Sequence, residues 1–215
     1  MIGYPDGNFR PNGYITRAQT AALLVRTMTT YFGVGVPRTS ADITGRFNDV
    51  APGAWYYDYI GVAYSYGLIQ GFPDGSFRPN DPITRQEFAG MLARTTTVLT
   101  EGNLPYVDTA NVSGWAFDYV YTVLIYDWMH GDAANTFRPL SHITRAEAAA
   151  AMCRILGRGD TTANSLENVL SEVLIFPDAT NPRVWHYFYV IEATNSHWFI
   201  MGDSEEIWTR VESQQ

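Results

Sequence analysis

Apolar positions recur with helical spacing in two kinds of segment. The first kind begins at a tryptophan and places an aromatic and a branched apolar residue four and five positions later, as in Trp55, Tyr59 and Ile60. This spacing puts them on one apolar helix face. We therefore predict helices over residues 55–66, 115–126 and 185–195.

The second kind of segment opens with a helix-start signal. Thr84 and Glu87 fit the capping box, in which the threonine accepts a free backbone N–H and the glutamate reaches back to the threonine N–H. An apolar stripe at helical spacing follows, formed by Phe88, Met91, Leu92 and Leu99. The same signal occurs as Thr16 with Gln19 and as Thr144 with Glu147.

A loop phrase precedes each capping box. The string Gly71–Asn80 nearly copies Gly3–Asn12, and Pro-Asp-Gly and Arg-Pro pairs in both predict a tight loop. A third version runs from Gly131 to Pro139 but lacks Pro-Asp-Gly. We therefore expect the site in this third copy to be remodelled or lost.

A further phrase stands before each tryptophan and completes the repeat. It pairs an aromatic residue with an aspartate, as in Phe47 with Asp49, Tyr106 with Asp108 and Phe176 with Asp178. Self-similarity at a fixed period indicates a repeat architecture. The repeats are a second half at 1–31, whole units at 47–99 and 106–157, and a first half at 176–215, with linkers predicted at 32–46 and 158–170.

The two halves leave two interpretations open. The C-terminal half could be a separate cap, because terminal repeats are often atypical. Alternatively it completes the first repeat, in which case Asp178 and Trp185 are expected to face Arg17.

Composition narrows the function classes. A formal charge of −8 argues against nucleic acid as a partner, and no apolar run is long enough to span a bilayer. The N-terminus lacks the features of a signal peptide, so the protein is either intracellular or given without its export signal.

All 14 basic residues are arginines, whose planar forks suit carboxylate or phosphate. Cys153, the only cysteine, is predicted to be buried and structural.

Neither metal nor catalytic chemistry is indicated. The four histidines have no metal-ligand spacing, and the chain contains no phosphate-binding loop and no nucleophile elbow. We therefore predict no cofactor, no metal and no enzyme.

Two residue types carry the candidate chemistry. Arg17, Arg85 and Arg145 fall at the first residue of a helix, where a cation opposes the helix dipole. Either each pairs with the aspartate of the other phrase, or it holds an anionic ligand. Each tryptophan can be a core residue or expose one face on which a sugar stacks, and the two are compatible.

Assembled in order, these phrases resemble the S-layer homology domain family, over residues 1–31, 47–99 and 106–157 and in part over 176–200. The resemblance implies an all-α, pseudo-threefold, three-pronged spindle of helix-loop-helix repeats around a central three-helix bundle. It also implies a surface module, part of a larger bacterial protein, that binds non-covalently to a secondary cell wall polysaccharide attached to peptidoglycan, often carrying ketal-linked pyruvate.

The resemblance also implies the binding residues. They are Arg17, Arg85 and Arg145, Asp49, Asp108 and Asp178, Trp55, Trp115 and Trp185, and Gly71. Pyruvate would supply the anion for the arginines. A rival function is a structural module that contacts other proteins in a surface layer. Open grooves with Arg85 and Trp115 favour the sugar, whereas arginines saturated by carboxylates favour the scaffold. A wall hydrolase would need two facing carboxylates, which no motif here provides.

Overall fold

The computed structural model describes residues 1–31, 43–96, 101–158, 162–163, 165–195, 197–201 and 206–212. It has two compact units, residues 14–143 and residues 1–13 with 144–215. Most of the predicted linker at 32–46, part of the one at 158–170, and Leu99 lie outside the described residues.

Helices are the main regular secondary structure of the described residues, which confirms the predicted all-α class. The α-helices are α1 Arg17–Tyr31, α2 Tyr57–Ser65, α3 Arg85–Ala93, α4 Phe117–Ile125, α5 Arg145–Ile155 and α6 Tyr187–Thr194. Two short 3₁₀ helices, Thr109–Asn111 and Gly114–Ala116, precede α4. The predicted three-pronged spindle stays a prediction.

An antiparallel hairpin near the C-terminus was not predicted from the sequence. Its strands are β1 His197–Met201 and β2 Glu206–Val211. The fully buried Trp208 of β2 belongs to one hydrophobic core cluster with Val173, Tyr187 and Ile191. This part of the C-terminal unit therefore has a core of its own.

The helices that follow the tryptophans begin later than predicted. α2 begins two residues after Trp55, because Ala54 first closes a turn by accepting the Tyr57 N–H at 2.9 Å. α2 ends in a Schellman motif, in which Gly67 takes a φ of 70° and donates to the Tyr64 carbonyl. The tryptophan consequently lies in the turn before the helix.

The capping boxes occur as predicted. Thr84 accepts the Glu87 N–H while the Glu87 carboxylate accepts the Thr84 N–H at 2.9 Å, and Thr144 with Glu147 repeats the arrangement. Gln19 preserves it without a charge, since its Oε1 accepts the Thr16 N–H at 3.1 Å. Replacing glutamate by glutamine therefore keeps the cap.

The third loop retains the backbone conformation of the second although it lacks Pro-Asp-Gly, and the expected remodelling or loss of its binding site stays a prediction. In the second loop, Gly75 takes a φ of 80° and donates to the Phe72 carbonyl at 3.0 Å. In the third, Asn135 takes a φ of 57° and donates to the Asp132 carbonyl at 3.0 Å. Asparagine tolerates the left-handed region better than most residues, so the turn survives without glycine.

A closed ring of backbone hydrogen bonds joins the three loop ends inside the unit of residues 14–143. Ile83 donates to the Ile15 carbonyl at 3.1 Å, Ile143 donates to Ile83 at 3.0 Å, and Ile15 donates to Ile143 at 3.3 Å. All three side chains are buried. The recurring isoleucine before each capping box thus has a shared structural reason.

Helix pairs carry the remaining packing. α1 packs on α2 and α3 on α4 in one unit, and α5 packs on α6 in the other. Cys153 of α5 is buried and has no disulfide, and burial raises the pKa of its thiol. The predicted structural role of Cys153 is consistent with this position.

Candidate functional site

The predicted aspartates clamp the loops through backbone N–H groups. The Asp49 carboxylate accepts the N–H of Phe77 at 2.8 Å and the N–H of Arg78 at 2.7 Å. Arg78 takes a φ of 59°, a left-handed conformation that is costly for a side chain with a Cβ. Two charge-assisted hydrogen bonds to one carboxylate offset that cost. Asp108 binds Phe137 and Arg138 in the same way, and Asp178 binds Phe9 and Arg10.

The arginines at the helix starts are buried against the same loops. Arg85 is 3% exposed, and its guanidinium donates to the carbonyls of Phe137 at 2.7 Å and His130 at 2.8 Å. Arg145 donates likewise to Phe9 and Ile2. Each side chain holds a neighbouring loop in place.

Arg17 also pairs with a carboxylate. It donates to the Phe77 carbonyl at 2.8 Å and pairs with Glu87 at 2.9 Å. Burial lowers the pKa of Arg17, and the Glu87 carboxylate opposes that shift. The guanidinium stays charged, because arginine loses its proton only far above neutral pH.

One expected pairing does not describe this geometry. Arg17 pairs with Glu87 and not with Asp49, because Asp49 binds the N–H of Phe77 while Arg17 binds its carbonyl. The ion-pair interpretation with an aspartate is therefore wrong for Arg17. The loop clamped by Asp178 receives Arg145, and the expected relationship of Arg17 with Asp178 and Trp185 stays a prediction.

Gly71 is required by close packing. A Cβ there would lie 2.5 Å from the Phe47 ring and 2.8 Å from the Ser76 carbonyl oxygen. Gly3 meets Phe176 in the same manner, and Gly131 meets Tyr106. The two phrases of a repeat thus touch at this glycine. Whether Gly71 also contacts a ligand stays a prediction.

The tryptophans are surface residues. Trp55, Trp115 and Trp185 are 58%, 53% and 58% exposed. Each ring lies beside the tyrosine four residues later, with centroids 6.3 to 6.4 Å apart. The core interpretation therefore does not hold, and each indole presents a broad apolar surface.

A second set of arginines, which the sequence analysis missed, lies beside these aromatic pairs. The guanidinium carbons of Arg26, Arg94 and Arg154 stand 5.0, 4.5 and 5.0 Å from the ring centres of Tyr59, Tyr119 and Tyr189. We call the three sets aromatic–arginine clusters: Arg26 with Tyr59 and Trp55, Arg94 with Tyr119 and Trp115, Arg154 with Tyr189 and Trp185. The sequence did contain a signal for these arginines: in every repeat, an arginine stands nine positions after the arginine at the helix start.

The cluster arginines differ from the loop arginines in their partners. Arg10, Arg78 and Arg138 each pair with an aspartate of their own loop. Among the residues that the structure describes, no carboxylate forms an ion pair with Arg26, Arg94 or Arg154. In a chain of net charge −8 without lysine, these clusters place cations beside exposed aromatic rings.

No group of three or more metal-ligating side chains occurs within the described ranges. Over the same ranges, no helix is both long and apolar enough to cross a bilayer.

These features define a helical repeat module that clamps its loops with aspartate and arginine and exposes aromatic–arginine clusters. The sequence matches the S-layer homology domain family over residues 1–21, 46–89 and 105–149, and the chain belongs to that family. S-layer homology domains are modules that anchor surface proteins to the bacterial cell wall. The predicted cell-surface location agrees with this membership.

Relatives carry the module in much longer proteins. The chain is 29% identical to cell surface glycoprotein 1 of Acetivibrio thermocellus over 98% of its own length and 9% of that protein. It is 29% identical to the cellulosome-anchoring protein of the same organism over 89% of the chain and 43% of the relative. An amylopullulanase of Thermoanaerobacterium thermosulfurigenes is 33% identical over 72% of the chain and 8% of the enzyme. The chain thus spans less than half of each of these relatives.

Proposed function

We propose that this chain anchors a larger surface protein non-covalently to the cell wall by binding a secondary cell wall polysaccharide linked to peptidoglycan. The observation that carries the proposal is the exposure of Trp55, Trp115 and Trp185, each above half of its surface. A large aromatic ring exposed at the same place in three copies has no packing reason. Sugars stack on such rings through their apolar C–H faces.

An acidic polymer, such as one bearing ketal-linked pyruvate, suits the charges around these rings. Arg26, Arg94 and Arg154 offer planar forks that match a carboxylate. The net charge of −8 does not oppose this recognition strongly, because repulsion between exposed charges is screened beyond about 8 to 10 Å at physiological ionic strength.

The ten predicted binding residues take two roles in this proposal. The tryptophans contact the polymer. Arg17, Arg85 and Arg145 expose 5% or less of their surface, so they act on binding by holding the loops. The aspartates and Gly71 also act by holding the loops. The aspartates bind backbone N–H groups, and Gly71 packs against the Phe47 ring.

The C-terminal half completes the first repeat in this proposal. Asp178 clamps Phe9 and Arg10, and Phe176 packs on Gly3, as Asp49 and Phe47 do in the second repeat. Three complete repeats then present three aromatic–arginine clusters.

A structural role in a surface layer is the second candidate. The burial of Arg85 and the binding of Arg17 to Glu87 favour it, because saturated arginines are what a scaffold requires. Exposed Trp115 favours the sugar. Because a scaffold gives no reason for three exposed indoles, polymer binding ranks first.

Co-sedimentation with purified wall sacculi tests the proposal. We expect the protein to pellet with intact sacculi and to stay in solution after the secondary polymer is removed chemically. A variant with all three tryptophans changed to alanine should stay in solution with intact sacculi. Tyr14→Ala is the matched control, because Tyr14 is an exposed aromatic residue outside the clusters. Pelleting that survives removal of the polymer would rule out the polysaccharide anchor.

A further inference from the structure

The three aromatic–arginine clusters are not equivalent, and the differences single out the second. We infer that the cluster of Arg94, Tyr119 and Trp115 is the principal site for an acidic sugar residue, and that the Arg94 guanidinium recognises its carboxylate. This inference rests on the proposed function and adds a ranking of the clusters and the residue that recognises the acid group.

Hydrogen-bond capacity is the first difference. A guanidinium has five N–H donors. Arg26 donates from Nε and Nη2 to the Tyr59 hydroxyl, at 3.1 and 2.9 Å. Arg154 donates from Nη2 to the Tyr189 hydroxyl at 3.1 Å. In the described part of the chain, Arg94 makes no side-chain hydrogen bond and is held only over the Tyr119 ring at 4.5 Å. Arg94 thus retains the most donors for a ligand.

Close packing of the cluster against α3 is the second difference. A Cβ built on Gly90 would lie 3.4 Å from Arg94 Nη1, 3.4 Å from the Trp115 ring and 3.8 Å from the Tyr119 ring. Gly90 therefore lies beneath the side chains of Arg94, Trp115 and Tyr119. The corresponding positions in α1 and α5 are Ala22 and Ala150.

Glycine destabilises a helix interior relative to alanine, so its presence in α3 calls for a reason. Without a methyl group at position 90, the Arg94 and Trp115 side chains lie directly against the α3 backbone. A sugar ring stacked on the exposed face of Trp115 would then have its acid group within reach of Arg94.

Pre-organisation is the third difference. The Gln86 amide donates to the Ser113 hydroxyl at 2.9 Å and accepts the Ser113 N–H at 3.0 Å. Ser113 begins the turn that carries Trp115, so this pair ties the indole to α3. Ala18 and Ala146 occupy the position of Gln86 in the other repeats and cannot form such bonds. A site fixed before binding loses less conformational entropy when it binds.

The ligand class follows from these groups. The fork of Arg94 matches the two oxygens of a carboxylate, and the indole of Trp115 matches the C–H face of a pyranose ring. A wall polysaccharide can carry this carboxylate either as ketal-linked pyruvate or as a uronic acid. Both present the same chemistry to the cluster.

Calorimetric titration of purified wall polymer into the whole chain tests the ranking. We expect Arg94→Gln to weaken binding by about tenfold or more, the loss of one charge-assisted contact. The matched changes Arg26→Gln and Arg154→Gln should weaken it by less than about threefold. Gly90→Ala, which installs the residue of the other repeats, should also weaken binding, while Ala22→Gly should not. Urea unfolding of each variant separates these effects from loss of fold.

Two treated polymers identify the carboxylate. Mild acid removes ketal pyruvate and leaves uronic acids, whereas carbodiimide activation followed by reduction removes both. If pyruvate is the ligand, mild acid alone abolishes the difference between wild type and Arg94→Gln; if a uronic acid is the ligand, only reduction does.

The outcomes separate this inference from the proposed function. If the wild-type chain does not bind the untreated polymer, the proposed function is wrong. Binding by the wild type that Arg26→Gln weakens as much as Arg94→Gln would overturn the ranking alone. An Arg94→Gln effect that persists on reduced polymer would overturn the recognition of a carboxylate.

Discussion

The Asp49 carboxylate accepts the backbone N–H of Phe77 at 2.8 Å. On the other side of the same residue, the Phe77 carbonyl accepts the Nε–H of Arg17 at 2.8 Å. Asp49 belongs to one recurring phrase, and Arg17 belongs to the helix start of a different repeat. Two charged residues that are far apart in the sequence therefore bind the main chain of the same loop residue. This shared role explains why the aspartate phrase and the helix-start arginine recur together in the repeats.

Asp108→Asn should destabilise the fold. The Asp108 carboxylate holds the N–H groups of Phe137 and Arg138 at 2.8 and 2.7 Å, and an asparagine would turn an N–H₂ group towards one of these donors. We expect the free energy of unfolding to fall by about 2 kcal/mol. Urea unfolding followed by circular dichroism measures it. Asp118→Asn, on the exposed first turn of α4, should change the midpoint little; equal losses in the two variants would contradict the clamp.

Arg85→Lys should be destabilising although it keeps the charge. The guanidinium donates to two carbonyls in a fixed fork, and a lysine ammonium cannot reproduce that geometry at a buried position. We expect a loss of about 2 to 4 kcal/mol in unfolding free energy. The same urea measurement checks it. Arg94→Lys is the control, because in the described part of the chain the Arg94 guanidinium has a ring contact and no hydrogen bond. An unchanged midpoint for Arg85→Lys would show that the fork is dispensable.

The helices, loops and capping boxes could be predicted because their signals are local and repeated three times. Thr84 and Glu87, for example, lie within one turn and need no distant partner. The role of Asp49 could not be predicted, because its partners are backbone N–H groups 28 and 29 residues away, which leave no trace in side-chain patterns. Arg26 was missed because, within an apolar helical stripe, nothing local distinguishes it from a solvent-facing residue. The C-terminal hairpin has no counterpart in the other repeats, so repetition gave no help there.

Asn135 should be replaceable by glycine but not by alanine. Its φ of 57° lies in the left-handed region, which costs a residue with a Cβ roughly 1 to 2 kcal/mol, and its side-chain amide donates to the Pro105 carbonyl at 2.9 Å. Asn135→Ala loses that bond and keeps the strain, so we expect a loss of about 1 to 2 kcal/mol. Asn135→Gly relieves the strain and should stay close to wild type. Thermal unfolding of both variants checks the order, and a more stable alanine variant would be inconsistent with this backbone.

Acid should weaken the fold partly through the second loop. The Ser76 hydroxyl and N–H donate to the Asp74 carboxylate at 2.6 and 2.9 Å, and together with Arg78 they lower its pKa from 3.8 to about 2. Because the folded pKa is depressed, the unfolded chain takes up the proton first. The stabilisation is therefore present above about pH 4 and lost as the pH falls towards about 2.

Asp74→Asn should make this acid dependence shallower. The variant cannot titrate at position 74, so its urea midpoint should fall less than that of the wild type between about pH 4 and about pH 2. A hydrogen bond from Arg10 lowers the pKa of Asp6, and one from Thr136 lowers the pKa of Asp132. Some acid dependence will therefore remain in the Asp74→Asn variant. Identical slopes for wild type and Asp74→Asn would contradict the assignment, because the loop would then stabilise the fold equally with or without an ionised carboxylate at this position.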